Sequence, residues 1–70
     1  MDHVAPTRRE TVEELGLLCE RCTTRAYHAA KRGDYAGAAR DYGIAETAAN
    51  LAFHTAALAA LDARGTGGRS

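Results

Sequence analysis

The stretch KRGDYAGAARDY, Lys31 to Tyr42, decides the fold. In it Gly33 and Asp34 form a breaker pair between two long runs with few other interruptions. Glycine enters the left-handed backbone region without steric cost, so Gly33 suits the position just past a helix end. Aspartate accepts from the free backbone N–H groups of a helix that starts after it. The pair therefore stops one helix and caps the next, and so short a turn makes the two antiparallel.

Working outward, the first run opens at Thr7-Arg8-Arg9-Glu10, just after the single proline, Pro6. A Thr and a Glu three apart form a capping box, each side chain satisfying a backbone N–H that the helix leaves orphaned. No residue forbids helix from there to Arg32, and no segment alternates with the period of a strand. The expected class is all-α: an antiparallel two-helix hairpin over 7–64, with helix 1 at about 8–32, a turn at 33–34 and helix 2 at about 35–64. Residues 1–6 and the glycine-rich tail 65–70 have the composition of disordered ends.

Apolar residues of helix 1 fall in strict 3-4 spacing: Val12, Leu15, Cys19, Cys22, Ala26 and Ala29. In helix 2, Tyr35, Ala38, Tyr42, Ala45, Ala49, Ala52, Ala56, Ala59 and Ala63 do the same. The expected seam is narrow and made mostly of small side chains, with the tyrosines supplying its bulk. Alanine lets helix axes approach closely but buries little area in each layer. Beside the seam runs a second stripe of Ile44, Ala48, Leu51, Thr55 and Leu58, with Phe53 and Leu61 further round. Helix 1 adds Leu17 and Leu18 off its own seam. The combined apolar band on helix 2 spans roughly 200°, against about 100° for a helix with one buried face. A hairpin cannot cover two faces, so Leu17, Leu18, Ile44, Leu51, Phe53 and Leu58 are the expected interface, and a homodimeric four-helix bundle is the expected assembly.

Seventy residues make one domain at most, and chains this small usually need a disulfide, a metal or a partner chain. Nine basic and nine acidic side chains cancel, so net charge favours neither nucleic acid nor an anionic membrane as partner. No charged-then-apolar leader opens the sequence, and its apolar runs fall short of the roughly 20 residues that span a bilayer. Two cysteines three apart are not the disulfide framework of a secreted scaffold. The expected location is the cytoplasm.

Gly33, Tyr35, Ala38, Tyr42 and Ala45, with Ala26 upstream, resemble the middle of a tetratricopeptide repeat, where a turn glycine, aromatics and small residues recur at these intervals. The resemblance covers Ala26 to Ala45 only. It implies hairpin packing and binding of a peptide or protein. Arg25 stands where the repeat has a large apolar residue, Asn50 where it ends with proline, and no second copy follows.

Three constellations could carry chemistry. Cys19 and Cys22 lie one turn apart, a spacing that zinc or redox chemistry uses, although no second Cys/His pair stands at ligand spacing and the seam itself accounts for them as small apolar residues. Arg21, Arg25, His28 and Arg32 form a basic stripe on helix 1 with Lys31 adjacent, able to meet nucleic acid or an acidic surface, or simply to be solvated and paired. No aromatic residues interleave with it in the manner of a single-strand binder. Finally, the only serine is Ser70 and no glycine-rich loop follows a strand, so no catalytic set emerges and nothing calls for a cofactor. The expected function is a non-catalytic protein-interaction or regulatory module acting through self-association or a partner helix of another protein, with nucleic-acid binding through Arg21, Arg25, Lys31 and Arg32 as the alternative.

Overall fold

The computed structural model describes residues 7–68, and side chains as far as Arg64. It is an all-α hairpin of α1 (Arg8–Lys31) and α2 (Tyr35–Gly68). Residues 1–6 and 69–70, expected to be disordered, lie outside the described residues. The helix continues through Gly65 to Gly68, although glycine costs about 1 kcal/mol relative to alanine at each helical position.

The start of α1 is fixed by local chemistry. The Thr7 hydroxyl accepts from the Glu10 N–H at 3.1 Å, and the Glu10 carboxylate accepts from the Thr7 N–H at 2.8 Å. At the corner, Gly33 takes a φ of 84°, and its N–H donates to Ala30 O at 3.0 Å while the Asp34 N–H donates to Ala29 O at 2.9 Å. This nested pair satisfies the last carbonyls of α1 and turns the chain. Asp34 Oδ1 then accepts from the Gly37 N–H at 2.9 Å, capping α2. A Cβ at Gly37 would meet that carboxylate, which would have to shift to admit it.

The helices meet along small side chains. Ala26, Ala29 and Ala38 form the cluster beneath the corner, and Cys22, Ala45 and Ala48 continue the buried line. On α1 the buried and half-buried residues follow the expected seam: Val12, Leu15, Cys19, Cys22, Ala26 and Ala29. On α2 half of the expectation is corrected. Ala38, Ala45, Ala52 and Ala59 face α1, but the residues between them are Asp41, Ala48 and Thr55, not Tyr42, Ala49 and Ala56. Tyr35 and Tyr42 are 71% and 45% exposed and supply no bulk to the seam. The physical reason is size and charge. Tyrosine would prise apart axes that alanine lets close, whereas the observed rotation seats Asp41 beside Arg25, with an Nη2 to Oδ1 distance of 3.3 Å.

Candidate protein-interaction surface

That rotation sets what the hairpin shows to solvent. The fully buried part of the seam is alanine and one cysteine, Val12 and Leu15 are only half-buried, and other large apolar side chains are left outside, Leu18 at 40%, Ile44 at 41% and Leu51 at 51% among them. Leu15 and Leu18 of α1 and Ile44, Thr47, Ala48 and Leu51 of α2 line one open groove of about 370 Å³, flanked by Arg40. Leu58 is two turns beyond Leu51 on the same side of α2 and half exposed. Leu17 joins Leu18 in a shallow depression with Glu14 and Arg21 at the outer edge of α1.

The six residues expected at an interface therefore do not form one patch. Leu18, Ile44 and Leu51 are brought together and Leu58 extends their line. Leu17 sits at the margin. Phe53 lies about 200° round α2 from Leu51, on the other side of the hairpin, with its ring edge-on to His54 at 5.3 Å. Arg40 and Thr47 also line the groove, although an apolar pattern alone does not mark them. Their 3-4 spacing with Ile44 and Leu51 is the signal that places them there.

The basic stripe is partly engaged within the chain. Arg25 donates through Nε and Nη2 to Asp41 at 3.4 and 3.3 Å, and Nη2 lies 3.6 Å from Cys22 Sγ. The hydrogen bond to Asp41, then the carboxylate's charge, raises the Arg25 pKa above its ordinary value. Lys31 Nζ sits 5.6 Å from the centroid of the Tyr27 ring. Arg25, His28, Arg32 and Arg40 share an open hollow near the corner with Asp34 and Asp41, so its lining carries both signs. Arg21 is exposed on the outer surface.

Cys22 is buried, Cys19 half-buried, and both are free thiols. Among the described residues, no three His, Cys, Asp or Glu side chains converge as metal ligands would. Nor is any helix there long and apolar enough to cross a membrane.

No protein-family model, curated protein or solved structure matches the chain.

Proposed function

We propose that this protein is a small non-catalytic interaction or regulatory module that works by self-association, its exposed aliphatic face meeting a second copy in a dimeric four-helix bundle. One observation carries the reading: most of the side chains large enough to make a core are exposed, Val12 and Leu15 are only half-buried, and the fully buried apolar side chains are alanines and one cysteine. Burying what remains exposed of Leu18, Ile44, Leu51 and Leu58 is worth about 1 kcal/mol for each side chain, and a two-fold interface counts each of them twice. Free thiols at both cysteines suit the reducing cytoplasm, where we place the protein. The corner's likeness to a tetratricopeptide repeat points the same way, toward protein binding.

Light scattering at micromolar concentration tests this. The expected mass is twice the 7.4 kDa of one chain, and a clean 7.4 kDa species would remove self-association. Nucleic-acid binding through Arg21, Arg25, Lys31 and Arg32 is the weaker alternative, because Arg25 is already held by Asp41 and Lys31 lies over Tyr27. It requires a low-salt complex that weakens steeply as salt rises. Absence of any gel shift at low salt would eliminate it.

A further inference from the structure

The groove face of α2 has an internal symmetry that fixes how two copies would meet. At about 100° per residue, Arg40, Ile44, Thr47, Leu51, Thr55, Leu58 and Asp62 all point within about 40° of the Leu51 direction. Read outward from Leu51, the stripe is self-complementary in both directions: Thr47 mirrors Thr55, Ile44 mirrors Leu58, and Arg40 mirrors Asp62. All are exposed except Thr55, which is half-buried at the seam edge.

We infer that the partner on this face is a second copy of the chain, docked antiparallel with Leu51 on the two-fold axis. This rests on the self-association reading above and adds an orientation and a register. A two-fold interface requires that if residue i meets j, then j meets i. An antiparallel pairing of the α2 stripes meets that condition at every level. Leu51 packs on its own copy, Ile44 meets the partner's Leu58, and the partner's Asp62 comes level with Arg40. Arg40 has no carboxylate within ion-pair distance among the described residues, whereas Asp62, 64% exposed, already holds Arg8 at 3.2 Å and closes the open end of the hairpin. A parallel pairing of the same stripe would instead set Arg40 against Arg40 and Asp62 against Asp62. Charge thus selects the antiparallel arrangement, while the aliphatic ladder supplies the attraction.

Charge reversal tests the orientation in the otherwise native chain. Arg40→Glu should raise the dimer Kd about tenfold, because two opposite-charge contacts become like-charge ones. Mixing the Arg40→Glu chain with an Asp62→Arg chain should restore the native affinity as a heterodimer. An unchanged Kd for Arg40→Glu would overturn the inference. Disulfide trapping tests the register, in a Cys19→Ala/Cys22→Ala background confirmed to keep the native mass. Ile44→Cys mixed with Leu58→Cys should cross-link, since a disulfide needs Cα atoms within about 7 Å. Ile44→Cys alone should not. A dimer in which Ile44→Cys cross-links to itself, or in which the mixture fails to cross-link, overturns the inference while leaving self-association standing. A chain that stays monomeric throughout fails the self-association reading instead.

Discussion

The corner of the hairpin and the groove face midway along it are built on opposite terms. At the corner, each structural requirement is met within the chain. The turn closes through Gly33 and Asp34, Asp34 caps α2, Asp41 holds Arg25, and Ala26, Ala29 and Ala38 interlock with almost no exposure. Along the groove, Leu18, Ile44, Leu51 and Leu58 are 40–51% exposed and make no comparable closure. The contrast teaches that local signals shape the hairpin while leaving large apolar side chains uncovered beside its seam. Shape comes from caps and turn residues worth about 1 kcal/mol each, whereas each buried alanine contributes little apolar area.

The comparison breaks most sharply at Leu51. Leu51→Glu places two carboxylates face to face on the proposed axis, and the dimer Kd should rise about a hundredfold or more by sedimentation equilibrium. Asn50→Glu, one residue round the helix, should leave it unchanged, and equal effects would contradict the face assignment. At the corner the largest expected effect is that of Ala26→Leu. This site is fully buried, and overpacking it should cost about 1–3 kcal/mol in denaturant unfolding without altering the stoichiometry of the folded protein. Gly33→Ala should cost about 1 kcal/mol, because φ is 84° there and a Cβ is strained in that region even with open space around it. Smallest of all, Phe53→Ala on the far side should leave the dimer stoichiometry unchanged and move stability by less than about 0.5 kcal/mol. A loss of the dimer with Phe53→Ala would transfer the interface to that side.

The same division explains what could be read from the sequence. The Thr7–Glu10 capping box and the Gly33–Asp34 corner were legible because each is a local arrangement of named side chains and nearby backbone. The α1 seam was legible because Val12, Leu15 and the cysteines stand out from polar neighbours. The phase of the α2 seam was not. A helix rich in alanine fits a seam that steps by three or by four, so Ala48 and Ala49 look alike. The choice between them was made by the fit against α1 and by the Arg25–Asp41 pair, neither of which is a local property. The aliphatic stripe was legible at Ile44, Leu51 and Leu58, but not the separation of Phe53 from it, because a band of roughly 200° merges two sides of one helix.

The central claim is that this hairpin draws its stability from a second copy of itself. Thermal unfolding followed by circular dichroism over a hundredfold range of chain concentration tests it most directly. The account predicts that the unfolding midpoint climbs with concentration, as mass action requires of a folded dimer. A midpoint that stays fixed across the range would contradict it.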